Sequence, residues 1–366
     1  MMRTKPPFRA DHVGSLLRSA AIQDARAKRE SGEIDADQLR AVEDREITAV
    51  IGKQEEVGLK SVTDGEYRRS WWHFDFLGGL DGVDVVGSDE GIQFQGRETK
   101  AQGIEVTGKI GFSDHPMIAH FRFLADHTQA IPKMTIPSPS VLHFRQEDGA
   151  RRKIYPDIDD FFDDLGQAYA DAVRGFYDAG CRYLQLDDTV WAYMCSDVEL
   201  AKARERGHDT VGLDRRYARA INTALAAKPD DITITMHVCR GNFRSTWISE
   251  GGYEPVAETV LAGLDLDGYF LEYDSDRAGG FEPLRFLPKG DKLVVLGLVT
   301  SKSGELENKD DVKRRIDEAS KFVDLDQLCL SPQCGFASTE EGNVLAEEQQ
   351  WAKLREIIEI SEEVWG

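Results

Sequence analysis

Seven short apolar runs, separated by longer stretches of helical character, constrain this chain more than any other feature of its sequence. The runs are rich in Val, Ile and Leu and show no clean alternation of apolar and polar residues. Such runs are typical of parallel strands that are buried on both faces of a sheet. They lie at residues 61–63, 133–136, 183–186, 232–236, 269–271, 293–299 and 327–330, and a weaker candidate strand lies near residues 11–15.

The stretches between these runs carry helix signals. Asp35 and Gln38 have the spacing of a capping box, and Gly58 is placed to end the helix that they begin. Eight strands that alternate with helices predict an α/β fold of the (β/α)₈ TIM barrel type, so we expect residues 1–366 to form a single catalytic barrel. An open doubly wound sheet is the alternative, but no Gly-rich dinucleotide turn follows the first strand.

Residues 80–110 interrupt this rhythm. Runs of alternating polarity bounded by glycines, at residues 92–94 and 104–106, are typical of antiparallel strands. We therefore expect a β-hairpin insertion at about residues 80–110, after the second strand.

The charge balance limits the partners of this chain. Lys plus Arg number 45 and Asp plus Glu number 66, so the net charge of -21 repels phosphate backbones and excludes nucleic acid. No apolar run approaches the roughly 20 residues that span a bilayer, and the polar first nine residues do not resemble a secretory signal. We therefore expect a cytoplasmic protein with no membrane partner. The five Cys do not predict a disulfide framework, and the sequence leaves open a homo-oligomer.

Polar residues cluster just after the predicted strands, where a barrel places its active face. His237 and Cys239 are two residues apart at a strand end, so both side chains point the same way, as zinc ligands would. Taken alone, this pair is better explained by a buried Cys beside a hydrogen-bonded His. Cys334 lies between a Pro and a Gly in a turn after another strand, and this second placed thiol favours a metal site.

Glu272 is an acid within an otherwise apolar strand, where a carboxylate needs a metal or a charged partner. A salt bridge to Arg240 or Arg277 is the alternative to a ligand role. A set of one His, two Cys and one Glu favours Zn²⁺, because thiolates disfavour magnesium and manganese. Two thiolates make zinc a better holder of a nucleophilic thiol than an activator of water, so the set predicts thiol alkylation.

Six motifs make the chain similar to cobalamin-independent methionine synthase, and specifically to the C-terminal catalytic barrel of that family. The chain most resembles the short bacterial members that consist of a single barrel. The motifs are His12-Val13-Gly14-Ser15, Asp64-Gly65-Glu66, Leu184-Gln185-Leu186-Asp187, His237-Val238-Cys239, Leu271-Glu272 and Ser331-Pro332-Gln333-Cys334-Gly335.

The resemblance implies a role for each of these motifs. It implies that Zn²⁺ is bound by His237, Cys239, Glu272 and Cys334. It implies that Ser15, Glu66 and Asp187 hold the amino-acid end of homocysteine, with both carboxylates facing its ammonium group. Asp187 is therefore also a candidate catalytic residue.

Three departures from the family concern the methyl donor. We expect a single barrel, without the second, N-terminal barrel that full-length members of the family carry. Residues 135–139 read Thr-Ile-Pro-Ser-Pro where the family carries a Trp that stacks on the pterin, and Lys302 falls nearest the position of the family's catalytic His. Lys302 is thus a candidate for proton transfer, and the donor is expected to be a corrinoid, a sulfonium or a simple methyl-folate rather than a polyglutamylated one. A pocket for this second substrate could be lined by Arg68, Arg69, Trp71, Trp72 and His73.

The sequence therefore predicts a zinc-dependent thiol S-methyltransferase that converts homocysteine to methionine without cobalamin as a bound prosthetic group. Its partners would be a small thiol and a methyl donor. One alternative is a zinc-dependent thiol alkyltransferase of another reaction type, such as epoxide–thiol transfer. Another alternative is a non-catalytic barrel that binds zinc or thiols.

Overall fold

The computed structural model describes residues 3–87, 91–94, 97–99, 102–146 and 148–366. Its strands are β1 (Ser61–Val62), β2 (Asp81–Gly87), β3 (Gln93–Phe94), β4 (Arg97–Glu98), β5 (Gln102–Gly111), β6 (Ile131–Pro137), β7 (Tyr183–Asp188), β8 (Thr233–Val238), β9 (Gly268–Glu272), β10 (Leu293–Val299) and β11 (Leu328–Pro332).

The α-helices are α1 (Ala20–Glu30), α2 (Ala36–Val57), α3 (Phe74–Leu77), α4 (Pro116–Asp126), α5 (Pro139–Arg145), α6 (Asp148–Ile154), α7 (Ile158–Asp178), α8 (Val190–Tyr193), α9 (Asp197–Glu205), α10 (Leu213–Leu225), α11 (Lys309–Ala319) and α12 (Glu347–Trp365). Shorter helical turns occupy Glu258–Ala262, Asp276–Ala278, Glu282–Phe286 and Leu325–Gln327. Across the described residues, no helix combines the length and the apolarity that crossing a membrane requires.

Seven parallel strands form one curled sheet in the order β1, β6, β7, β8, β9, β10, β11. Each coincides with one of the seven apolar runs, so the predicted parallel α/β sheet is confirmed. The predicted capping box is also present, because Asp35 accepts the N–H of Gln38 (2.8 Å) and the Gln38 side chain accepts the N–H of Asp35 (2.9 Å). Helix α2 ends at Gly58, whose φ of 102° favours glycine.

The predicted first strand is not a regular strand. Ala10 makes a single parallel bridge to Leu330 in β11, and the chain then leaves the ladder. The carboxylate of Asp11 accepts the backbone N–H groups of Phe8 (3.1 Å) and His12 (2.8 Å), and such local bonds compete with strand pairing. Within the described residues, the sheet therefore has seven regular strands and a bridging N-terminal segment (residues 9–15), where the sequence predicted eight strands.

Buried polar contacts fasten the N-terminal segment against the sheet. The ammonium group of Lys133 in β6 donates to the carbonyl of His12 (2.6 Å) and lies 3.4 Å from a carboxylate oxygen of Asp11. The hydroxyl of Tyr183 in β7 donates to the other Asp11 oxygen (2.9 Å). These contacts fix the backbone that leads to Ser15.

The predicted hairpin is present. Strands β2 and β5 pair antiparallel, with Val83 opposite Val106 and Val85 opposite Ile104. Val83, Ile104 and Val106 are buried against the core, which explains the alternation in the sequence. Residues 88–90, 95–96 and 100–101, which belong to the same insertion, lie outside the described residues.

Candidate metal centre and substrate cleft

Four side chains with metal-binding atoms meet at the carboxyl ends of three strands. His237 is in β8 and Cys239 directly follows it, Glu272 ends β9, and Cys334 comes two residues after β11. Each residue offers a ligand atom within 4.8 Å of the other three, and all four residues are buried. The parallel sheet thus brings positions far apart in the sequence into one cluster.

Hydrogen bonds fix the carboxylate of Glu272. One oxygen accepts the backbone N–H of Arg240 (2.7 Å), and the other accepts the side-chain N–H of Gln333 (3.1 Å). The guanidinium of Arg240 makes no hydrogen bond within the described residues, and Arg277 pairs with Asp274 (3.3 Å). The salt bridge that could have explained Glu272 is therefore not formed by either arginine.

The surrounding protein leaves the other three donors without full partners. The sulfurs of Cys239 and Cys334 lie 3.5 Å apart, and neither ring nitrogen of His237 forms a hydrogen bond within the described part of the chain. The hydrogen bond from Cys239 lowers the pKa of the Cys334 thiol well below its usual value, against the effect of burial. Burial raises the pKa of Glu272. Buried donors of this kind fit a soft divalent cation, and the set matches the ligands that zinc takes in proteins.

A cavity adjoins this cluster, and three of the four candidate ligands line it. Ser15, Glu66 and Asp187, the three residues assigned to substrate, line it together with His237, Cys239 and Cys334. The structure therefore brings the predicted metal and substrate residues into one cleft.

The Ser15 side chain lies against the turn that carries Cys334. A Cβ atom at Gly335 would come within 1.9 Å of the Ser15 hydroxyl oxygen, so any larger residue would displace the hydroxyl or the turn. The same oxygen accepts the backbone N–H of Ala337 (3.3 Å). Gly335 thereby couples the position of Ser15, a predicted substrate residue, to that of a candidate ligand.

Two buried carboxylates face the same cavity. Glu66 accepts the hydroxyl of Thr135 (3.0 Å) and lies 3.7 Å from Arg69, but its second oxygen has no hydrogen bond in the described chain. Asp187 accepts the side-chain N–H of Gln185 (2.7 Å). Burial raises the pKa of Asp187 to about 7, and the charge of Glu66 adds to this shift. A positively charged group of a bound ligand would balance the negative charges of both carboxylates.

Lys302 lies in the loop that follows β10. Its ammonium nitrogen is buried and has no hydrogen-bond partner among the described residues. Its charge lowers the pKa of Glu272 and of both Cys239 and Cys334, although stronger effects outweigh it at Glu272 and Cys239. The charge of Lys302 therefore affects three of the four candidate ligands.

The part of the cavity wall predicted for the second substrate differs from the prediction. Trp71, Trp72 and His73 line it, but Arg68 and Arg69 are not among its lining residues. Arg68 instead pairs with Glu43 and Asp44 on α2, and Arg69 donates to the carbonyl of Thr135. The lining residues that no sequence pattern singled out include Ile92, Phe94, Arg145 and Tyr193.

A second group of buried metal-binding side chains comprises His143, Asp148 and His208. Asp148 is already paired with Arg151 and Arg152. These two cations oppose the entry of a third one, so we assign no metal to this group.

Comparisons with known proteins agree with the fold and identify the family. The family model for the catalytic domain of cobalamin-independent synthase matches residues 8–353. An uncharacterised protein of Bacillus subtilis, YxjH, is 59% identical over 362 residues, which are 99% of this chain and 96% of the relative. A Listeria monocytogenes protein designated a candidate vitamin-B12-independent methionine synthase superposes with a TM-score of 0.80 at 45% identity, over the whole of both chains.

A more distant structure shares the fold alone. It is a B12-independent methionine synthase from Shewanella, solved with selenomethionine, and it superposes with a TM-score of 0.73 at 18% identity over 97% of this chain and 96% of its own. From the extent of the family match, this chain belongs to the cobalamin-independent synthase family, whose members are methyltransferases of the methionine synthase type.

Proposed function

We propose that this chain is a zinc-dependent thiol S-methyltransferase that converts homocysteine to methionine without cobalamin as a bound prosthetic group. The observation that carries the proposal is the shared cleft, in which a His, Cys, Glu and Cys cluster adjoins two buried carboxylates. We also propose that residues 1–366 act as one catalytic (β/α)₈-type unit. The N-terminal segment takes the place of the eighth strand, and the hairpin is an insertion.

His237, Cys239, Glu272 and Cys334 would hold the zinc ion. When bound, zinc with two thiolate ligands makes a substrate thiol nucleophilic at neutral pH. The protein's own contribution is to hold these donors in position before substrate arrives, because strand ends and the bonds to Glu272 restrict their movement.

The amino-acid end of homocysteine would contact Ser15, Glu66 and Asp187. An ammonium group between Glu66 and Asp187 would satisfy the unpartnered oxygen of Glu66 and the charge of Asp187. Asp187 lies beside His237 in the sheet register, so it links the ammonium subsite to the metal centre and is the acid that we assign to catalysis.

The aromatic residues that line the cavity would contact the methyl donor. Trp72, Phe94 and Tyr193 line the cavity, and Arg145 donates to the hydroxyl of Tyr193 (3.0 Å) beside them.

Epoxide–thiol transfer remains the competing reaction. A thiol that carries a sulfonate would need cations at its far end, but the cleft presents the acids Glu66 and Asp187 there. A non-catalytic barrel is disfavoured because candidate ligands and two buried acids line the same cavity.

Metal analysis of purified protein tests the proposal. We expect one zinc per chain in the unmodified protein and in the control Cys195→Ser, since Cys195 is no part of the cluster. The variants Cys239→Ser and Cys334→Ser should lose most of their zinc. Full occupancy in both would reject the site. Methionine formation from homocysteine with each donor then separates methyl transfer from the competing reaction.

A further inference from the structure

Arg145 is the one lysine or arginine among the described residues that line the cavity. One terminal nitrogen of its guanidinium group donates to the hydroxyl of Tyr193 (3.0 Å), and its buried Nε atom makes no hydrogen bond within the described chain. Neither contact is to a carboxylate, although acids outnumber bases in the sequence by 66 to 45. A guanidinium group carries five N–H groups in a planar fork that matches a carboxylate. Arg145 therefore retains the capacity to bind an anionic group of a ligand.

Arg145 lies where the cavity meets a second groove. Residues of the hairpin strands β2 and β5 and of helix α9 line this groove, and it shares Ile92 and Arg145 with the cavity. Glu66 and Asp187 line the cavity but not the groove. The guanidinium group thus belongs to the end of the cavity that leads to the groove, rather than to the end that holds the two acids assigned to the amino-acid thiol.

The cavity lining beside Arg145 is aromatic. The guanidinium carbon of Arg145 lies 5.5 Å from the ring centre of Tyr193, and Trp72 and Phe94 line the same cavity. The ring of His73 also lines it, 4.5 Å from that of Trp72 between ring centres. Burial lowers the pKa of His73 well below its ordinary value, and the charge of Arg145 lowers it further, so His73 is uncharged at neutral pH. The cavity thus combines aromatic surfaces with the positive charge of Arg145.

Two other cations line the groove beyond Arg145, and both already have contacts within the protein. The ammonium group of Lys202 donates to Glu199 (2.7 Å). The guanidinium group of Arg206 donates to the carbonyl of Phe144 (3.4 Å) and lies over its ring. A ligand that extends from the metal centre toward the groove would therefore reach the uncommitted N–H groups of Arg145 first.

We propose that Arg145 determines which methyl donor is used, by binding an anionic group, such as a carboxylate, on the part of the donor that leaves after methyl transfer. The aromatic residues would hold a flat ring near the metal centre, and the anionic group would point toward the groove. A simple methyl-folate has both features, whereas a trialkyl sulfonium has neither. The inference rests on the proposed function, because it takes methyl transfer to the thiol as the reaction.

The test compares two methyl donors that share a ring and differ in the anionic tail. One is methyl-folate with a single glutamate, and the other is the matching methylated pterin without the benzoylglutamate. Methionine formation is measured on the zinc-loaded full chain at saturating homocysteine. We expect Arg145→Gln to raise the KM for the folate by about tenfold or more and to leave kcat within about threefold, because a charged hydrogen bond to the tail is lost. The KM for the pterin should change by less than about twofold, since it has no anionic group for Arg145 to bind.

Two further variants and one further measurement serve as controls. Arg145→Lys should keep part of the preference for the folate, because the positive charge remains but the planar fork is lost. Arg219 is exposed on α10 and pairs with Asp159 (3.0 Å), so Arg219→Gln should leave both KM values unchanged. The affinity for homocysteine, measured by calorimetry, should be the same in all these proteins.

The possible results separate the inference from the proposed function. An equal rise in KM for both donors in Arg145→Gln would indicate a structural role and overturn the inference. A loss of homocysteine affinity with the donor preference intact would assign Arg145 to the amino-acid thiol and would also overturn it. If the unmodified protein forms methionine without preferring the folate to the pterin, the inference alone fails. If it forms no methionine from any donor, the proposed function fails and the inference falls with it.

Discussion

The contact between Gly335 and Ser15 gives a prediction that can be worked out from the structure. Replacing Gly335 with Ala would place a Cβ atom 1.9 Å from the Ser15 hydroxyl oxygen and 3.1 Å from its Cβ. Carbon and oxygen atoms that are not bonded pack at about 3.5 Å, so the turn or the serine must move by more than 1 Å. Such overpacking costs about 1–3 kcal/mol of unfolding free energy.

The cost should depend on the hydroxyl group of Ser15. In a Ser15→Ala background the nearest contact would be the 3.1 Å approach between Cβ atoms, which small adjustments can absorb. We therefore expect Gly335→Ala to cost less than about 1 kcal/mol there, and the two substitutions to show a coupling energy of about 1 kcal/mol or more. Urea unfolding of the four proteins measures this coupling.

We expect Gly335→Ala to lower the activity of the protein as well. Displacing the 334–336 turn also moves Cys334, and a shift of about 1 Å at a site can cost about 100-fold in activity. Gly52→Ala is a suitable control, since a Cβ atom there meets nothing within 4 Å. Equal destabilisation by Gly335→Ala in both backgrounds would show that the Ser15 hydroxyl contact does not cause the loss of stability.

Three other predictions concern binding, pH and the donor. Asp187→Asn should weaken homocysteine binding by about 1–3 kcal/mol in calorimetry, since a charged hydrogen bond to the ammonium is lost; unchanged affinity would remove Asp187 from the subsite. Burial, together with Glu307, raises the pKa of Glu356 to about 7. The folded state therefore holds this proton more tightly than the unfolded state, and the stability that this contributes is lost as the pH rises from 4.5 through 7. Glu356→Gln should therefore add about 1–2 kcal/mol at pH 8, after allowance for solvent screening, and little at pH 4.5, and an equal gain at both pH values in denaturant titrations would contradict this. Methyl-folate triglutamate should support weaker methionine formation than a sulfonium or a simple methyl-folate, because Ser138 and Lys302 stand where the family carries Trp and His; higher turnover with the triglutamate than with every other donor would show this inference to be wrong.

The parallel sheet was predictable because its strands are buried on both faces, so continuous apolar runs mark them. The irregular first strand was not predictable, because its pairing depends on the contacts of the Asp11 carboxylate. That carboxylate accepts two local N–H groups, and Lys133 and Tyr183, distant in sequence, hold it in the interior. Single-sequence patterns do not reveal such tertiary contacts.

The candidate ligands were predictable for a similar physical reason. His237, Cys239 and Glu272 lie at strand ends, and parallel strands bring their carboxyl ends to one edge. The aromatic residues that line the cavity were less predictable, because Phe94 comes from the insertion and Tyr193 from a short helix whose placement depends on packing. Phe94 contacts Phe243, 5.3 Å away between ring centres, and no local pattern marks that pair.

We propose that His237, Cys239, Glu272 and Cys334 form a zinc site that accepts an amino-acid thiol. X-ray absorption at the zinc edge of the zinc-loaded chain, with and without homocysteine, reports on this site itself. We expect two sulfur neighbours of zinc in the free protein and a third when homocysteine is added. A zinc environment without sulfur, or one that homocysteine leaves unchanged, would show that the site is not as proposed.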